Sequence, residues 1–250
     1  MPDAAVAAAL LPGPLAWLAC AAAMVLGAAV QRLTGAGFGM VASPILAMVA
    51  PGWLPATVLL VGLVVGAGAM AADFGAVRRR DLPPGFAGRA LGAAIAAWIA
   101  AAVVGTAALP LVIGGVVLLA VALTLAGLKL PITPPSLFGA GVTAGIMGTL
   151  TGVGAPPMAI LYADVEARRS AATQNTFFGF GMAVSIPALA LAGLIGWRHL
   201  ALAATLLPLV PLTFIAVRPM AARTARGTLR PWALGLASLA ALTLIARTLS

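Results

Sequence analysis

Ten apolar stretches follow one another along this chain, at residues 14–32, 36–50, 54–73, 88–107, 109–128, 136–150, 153–163, 172–195, 199–217 and 231–247. Soluble domains keep about a quarter of their residues charged, whereas here 8% are charged and 63% hydrophobic. Most of the stretches approach the roughly 20 residues that carry an α-helix through a bilayer. Disorder needs low hydrophobicity and high charge, and collagen needs a triplet glycine period; the 29 glycines among 250 residues show no such period. A membrane β-barrel alternates apolar and polar positions, but residues 90–110 are apolar on both parities. The expectation is an all-α integral membrane protein, one domain over residues 1–250.

Lys and Arg outnumber Asp and Glu by 14 to 5, a net charge of +9. Nucleic-acid binding would need a basic stripe interleaved with aromatics. Instead the arginines sit mostly between apolar runs, as Arg78, Arg79, Arg80 and Arg89, as Arg168 and Arg169, and as Arg218, Arg223, Arg226 and Arg230. This is the positive-inside distribution, so the charge reads as orientation and no nucleic-acid partner is expected. Cys20, the one cysteine, excludes an internal disulfide and a cysteine-rich metal site. No basic region precedes the first apolar run, which predicts that this segment is retained. The tryptophans Trp17, Trp53, Trp98, Trp197 and Trp232 fall mostly near segment ends, as in an aromatic belt.

Two stretches, 36–50 and 153–163, are shorter than the roughly 17 residues of a straight crossing, and each follows a glycine-containing break. They read as half-helices returning from a turn. The segment Leu33-Thr34-Gly35-Ala36-Gly37 recurs 117 residues later as Leu150-Thr151-Gly152-Val153-Gly154, and further identities hold at that offset. A duplication follows, with repeat 1 near 10–128 and repeat 2 near 134–247. If the arginine loops around 78–89 and 218–230 are both cytoplasmic, the first precedes the fourth run of its half and the second follows the corresponding run. Equivalent elements then point opposite ways. The expected fold is two inverted repeats, each a broken or re-entrant helical hairpin plus about three spanning helices, with both termini outside. Transporters of this plan hold substrate near the midplane at the repeat interface.

In each turn a threonine precedes a glycine pair and a new helical run. Thr34 and Thr151 are placed to cap helix starts, and Gly35, Gly37, Gly152 and Gly154 allow backbone conformations closed to other residues. Free amides at the positive end of a helix dipole make an anion site. The alternative is that the glycines only allow tight helix packing. Gln31-Arg32 beside the first turn aligns with Gly148-Thr149 beside the second. Arg32 is either a pathway charge or a shallow orientation charge. Thr173-Gln174-Asn175-Thr176 either lines a cavity or caps a helix at the water interface. Asp73, Asp164, Glu166 and His199 read as interfacial or loop residues.

At these turns the sequence resembles the sulfite exporter TauE/SafE family, also called the toluene sulfonate uptake permease family. The matching stretches are Gly35-Ala36-Gly37-Phe38-Gly39 with Ser43-Pro44 downstream, and Gly152-Val153-Gly154-Ala155-Pro156-Pro157. Phe38 and Ala155-Pro156 depart from the glycine runs of the family. The resemblance implies a transporter of small sulfur-containing anions such as sulfite, sulfoacetate or other sulfonates, often outward, in the cell inner membrane.

The resulting expectation is a secondary transporter. Gly35, Gly37, Gly152 and Gly154 would supply backbone amides, Thr34 and Thr151 hydroxyl donors, and Gln31, Arg32, Gln174 and Asn175 selectivity. No ATP-binding P-loop is present, and no cofactor is expected. The expected partners are a small anion and the lipid bilayer. Small-residue faces such as Gly62, Gly66 and Gly68 allow a homodimer or packing within one subunit. A membrane-embedded enzyme would need a nucleophile, base or metal cluster, against one His, one Cys and five scattered carboxylates. A metal-cation carrier would need carboxylates in its membrane segments, and a partner-recruiting subunit would need mass outside the bilayer.

Overall fold

The structure, a computed structural model, describes residues 10–34, 37–103, 105–106, 108–221 and 230–249. Gly35, Ala36, Arg223 and Arg226 lie outside the described residues, as do the side chains of Thr34, Asp73, Arg230 and Trp232. The described residues form helices joined by short turns, with no strand. In chain order they are α1 (Pro14–Thr34), α2 (Phe38–Val49), α3 (Ala56–Asp73), α4 (Leu82–Val103), α5 (Ala108–Leu125), α6 (Pro134–Thr151), α7 (Ala155–Leu161), α8 (Ala167–Leu191), α9 (Trp197–Leu206), α10 (Leu209–Ala221) and α11 (Arg230–Leu249).

Local chemistry sets several of these boundaries. Thr133 and Ser136 form a capping box ahead of α6, with prolines in its first turn. The Glu166 carboxylate starts α8 by accepting the amides of Arg168 and Arg169, at 2.8 and 3.1 Å. Gly152 ends α6 in the left-handed conformation, φ 76°. Residues 199–217, one apolar run in the sequence, are two helices that part beside Pro208.

Among the described residues, four stretches are long and apolar enough to cross a membrane, Pro14–Leu33, Arg79–Val103, Ala108–Leu125 and Trp197–Met220. Their outer faces carry large apolar side chains, with Leu15, Trp98 and Trp197 each at least 80% exposed. In water that surface would be a liability; against acyl chains it is the low-energy arrangement. The protein is a multi-pass membrane protein. By contrast α2 has 12 residues and α7 has seven, about 18 and 10 Å of helix.

Small residues bring the helices together. Along α4 and α6, a Cβ added to Gly88 would overlap the carbonyl of Phe138, one on Gly92 that of Val142, and one on Gly141 that of Gly85. Backbone meets backbone, as at other membrane helix interfaces. Helices α3 and α8 approach the same way, where a Cβ on Gly66 would lie 2.9 Å from the Gly179 Cα. Gly62 abuts Met182 and Phe38, and Gly68 abuts Phe214. Of the two uses open to this small-residue face, packing within one subunit is the one seen.

The helices pair across the chain. Helix α4 packs on α6, and α10 packs on α1. Short α7 packs on α5, and short α2 on α11, while α3 pairs with α8 and α5 with α11.

Candidate functional site

The two glycine bends meet. A Cβ on Gly39, in the first turn of α2, would overlap the carbonyl oxygen of Gly152 in the second bend. The Ser43 hydroxyl donates to the carbonyl of Thr151 across the same junction. Gly37 adopts φ 128°, and a Cβ there would lie 2.7 Å from Val30 Cγ1, so conformation and space both demand glycine.

Three amides at these bends have partners within the protein. Phe38 N–H donates to Gln31 Oε1 at 3.1 Å, Val153 N–H to Thr151 Oγ1 at 3.2 Å, and Gly152 N–H to the Gly148 carbonyl at 2.7 Å. Thr151 closes α6 rather than opening α7: its hydroxyl donates back to the Met147 carbonyl at 2.7 Å. Gly154 is the residue before α7, without a side-chain cap. The next turn contains Pro156 and Pro157, which have no N–H to offer.

Beside the second bend lies a cavity lined by Gln31, Arg89, Gly154, Gln174, Phe177 and Phe178, among others. Gln31 is 2% exposed, and its Nε2 donates to Asn175 Oδ1 at 2.7 Å, tying α1 to α8. The polar run of α8 is therefore not an interfacial cap. Thr173, Asn175 and Thr176 are buried, seven to ten residues beyond the Glu166 cap. Gln174 Nε2 donates to Ser170 Oγ at 2.9 Å, while Gln174 Oε1 is buried without a partner. Arg32 is half-buried in the last turn of α1, where a cation suits the helix dipole, and is not among the lining residues.

Arg89 is the residue that the charge pattern misassigned. Grouped with the loop arginines, it lies instead inside α4, 3% exposed. It stands ten residues into the Arg79–Val103 span, about 15 Å along the axis and close to its middle. Glycines of three elements make room for its guanidinium. A Cβ on Gly148 would lie 2.5 Å from Nη1, one on Gly154 3.1 Å from Nη1, and one on Gly181 2.5 Å from Nη2. Nε and Nη1 are buried and have no hydrogen-bond partner. The ion pairs among the described residues, Arg78–Asp81 and Lys129–Asp164, leave Arg89 out. A charged group at membrane depth that no carboxylate neutralises is costly, and marks a functional site by default. A signal was available in the sequence, since Arg89 falls in Gly88-Arg89-Ala90-Leu91-Gly92, where α4 runs unbroken on both sides.

At the arginine-rich end of the same helix, Asp81 is buried and accepts from Arg78 Nε at 2.8 Å and from the Tyr162 hydroxyl at 2.8 Å. Arg78 N–H donates to Thr173 Oγ1 at 3.0 Å. The start of α4, the end of α7 and the head of α8 are thereby fastened together. His199, expected at the interface, is buried; its Nδ1 accepts the Gly196 amide at 2.9 Å and Nε2 faces the Gly52 carbonyl at 3.2 Å. It staples the turn after α2 to α9. Asp164, expected in a solvated loop, pairs with Lys129 at 2.5 Å on the surface.

No curated protein and no solved structure matches the chain. The family model for the sulfite exporter TauE/SafE matches residues 19–244, nearly the whole length and both bends. The chain belongs to the sulfite exporter TauE/SafE family of membrane transporters.

Proposed function

We propose that the protein is a secondary transporter exporting small organosulfur anions, such as sulfite, sulfoacetate or other sulfonates, across the inner membrane. The observation that carries this reading is the Arg89 guanidinium, buried in the cavity wall with Nε and Nη1 unpartnered. An oxyanion there accepts a charge-assisted hydrogen bond from the guanidinium, stronger than one from a neutral donor. Its negative charge offsets the desolvation that Arg89 otherwise bears alone. Gln31, Gly154 and Gln174 contribute the remaining polar lining, and Phe177 and Phe178 an aromatic wall. Gly37, Thr151 and Gly152, in the two bends, hold the short helices against this cavity. Asn175 orients Gln31.

The same reading takes the chain as two inverted repeats, near 10–128 and 134–247, with α1–α2 and α6–α7 as hairpins and both termini outside. Its support is the reciprocity of the contacts: α1 with α10 mirrors α6 with α4, and α2 with α11 mirrors α7 with α5. A pseudo-twofold exchange of halves requires such pairs.

The test uses purified protein and the Arg89→Met variant. Sulfite and several sulfonates should raise the melting temperature of the wild type, neutral solutes of similar size should not, and proteoliposomes should release sulfite only with Arg89 present. Binding of the neutral solutes with no response to any sulfur anion overturns the proposal.

A further inference from the structure

The cavity offers more than a cation. Gln174 Nε2 donates to Ser170 Oγ at 2.9 Å, and the Ser170 hydroxyl donates in turn to the Tyr162 carbonyl at 3.3 Å. With its proton committed, Ser170 Oγ can only accept, and this fixes which way the Gln174 amide faces: NH2 toward Ser170, carbonyl away from it. That carbonyl oxygen is buried and unpartnered, on a residue that lines the same cavity as Arg89. One wall thus holds donors without acceptors, at Arg89 Nε and Nη1, and another an acceptor without a donor.

From this we infer, resting on the anion reading above, that the site selects a monoanion carrying its own hydrogen-bond donor, the oxyanion on Arg89 and the donor on Gln174 Oε1. Charge and dipole both require it. Arg89 supplies one positive charge, so a dianion would bring in a second negative charge with no counterpart; of the anions named above, this narrows the choice to hydrogen sulfite and singly charged sulfonates and leaves out sulfoacetate. A bare oxyanion oxygen against Gln174 Oε1 would set two acceptors face to face. A ligand whose far end is a methyl group would leave the Gln174 carbonyl desolvated and unpaired. Sites built to hydrogen-bond a substrate OH or NH reject analogues lacking it far more strongly than apolar pockets reject a missing methylene. Gln174 is then a specificity-determining residue that leaves the charge recognition to Arg89.

Sulfamate and methanesulfonate separate the two roles, because they share shape and charge and differ by NH2 against CH3. Binding of each to the full-length purified protein, measured by calorimetry beside sulfite and sulfate, should favour sulfamate over methanesulfonate by at least about tenfold. Sulfate, a dianion, should bind more weakly than sulfamate. In Gln174→Met the sulfamate preference should fall to within about twofold. Equal affinities in the wild type, or a preference that survives Gln174→Met, overturn this inference. If Arg89→Met weakens both ligands meanwhile, the anion reading stands without it. If Arg89→Met binds both as the wild type does, or if none of the four anions binds, the anion reading itself fails. The wild-type ratio decides the matter even if Gln174→Met does not fold.

Discussion

Gln31 on α1 and Asn175 on α8 are joined by a 2.7 Å hydrogen bond between buried side chains 144 residues apart. Because Gln31 Oε1 also accepts the Phe38 amide at 3.1 Å, one side chain holds the start of α2, the end of α1 and the cavity face of α8 together. Gln31→Leu orphans the Phe38 N–H and the Asn175 carbonyl, and each buried unpaired group costs about 1–3 kcal/mol. Asn175→Leu removes the acceptor of the same bond instead. The double variant removes both ends of the bond, so its loss of stability should be smaller than the sum of the single losses, as expected for residues in contact. Thermal unfolding of the four proteins in one detergent measures the difference; strict additivity would mean the pair is not coupled.

Glycines facing a neighbouring backbone should behave unlike glycines facing lipid. A Cβ on Gly92 would meet the Val142 carbonyl, whereas one on Gly115 or Gly139 has nothing within 4 Å. Gly92→Ala must push α4 away from α6 and should cost several kcal/mol, in the range of severe overpacking. Gly115→Ala and Gly139→Ala gain helix propensity of up to about 1 kcal/mol and should be neutral or slightly stabilising. Melting temperatures of the three variants check the contrast.

The same contrast shows what was legible in the sequence. Apolar length located α1 and α5 to within a few residues, since a run of 14–32 became Pro14–Thr34 and one of 109–128 became Ala108–Leu125. Gln174 and Asn175 were visible because amides are conspicuous in an apolar segment, and Gln31 because it flanks the repeated turn. Arg89 was not, because its neighbours Gly148, Gly154 and Gly181 come from α6, the second bend and α8. A charge scan along one dimension cannot tell a guanidinium cradled by distant glycines from one in a loop. The bends were found, yet the fate of their amides depended on Gln31 Oε1 and on a hydroxyl turned back toward Met147. Repetition in sequence does not encode those partners.

Burial separates the two ion pairs of the described residues. Asp81 is 6% exposed and holds both Arg78 and the Tyr162 hydroxyl, while Lys129 and Asp164 are open to solvent on both sides. Asp81→Leu leaves the Tyr162 hydroxyl and Arg78 without their acceptor and should cost about 2–4 kcal/mol. Lys129→Ala should change stability by less than about 1 kcal/mol, and salt should erase that difference. Unfolding at low and high ionic strength checks both; a salt-insensitive loss of several kcal/mol at Lys129 would contradict the ranking.

Arg89 should stabilise the ligand-bound protein and destabilise the empty one. A buried guanidinium with Nε and Nη1 unpartnered, and with no carboxylate paired to it among the described residues, carries its desolvation cost uncompensated. Met is close to Arg in volume, ends where Nε stood, leaves part of the guanidinium's place between Gly148, Gly154 and Gly181 open, and needs no hydrogen bond. Replacing buried charges by apolar residues of similar volume commonly stabilises by about 1–4 kcal/mol, so Arg89→Met should melt above the wild type when no anion is added. With sulfite present the order should narrow or reverse, because a ligand that binds only the folded state stabilises it by an amount that grows with concentration over Kd, and only the wild type binds. A structural role for Arg89 predicts the opposite, a variant that melts lower at every sulfite concentration. Melting temperature against sulfite concentration, for the two proteins side by side, therefore tells a retained functional charge from a packing residue by the sign of its first point and the slope of the rest.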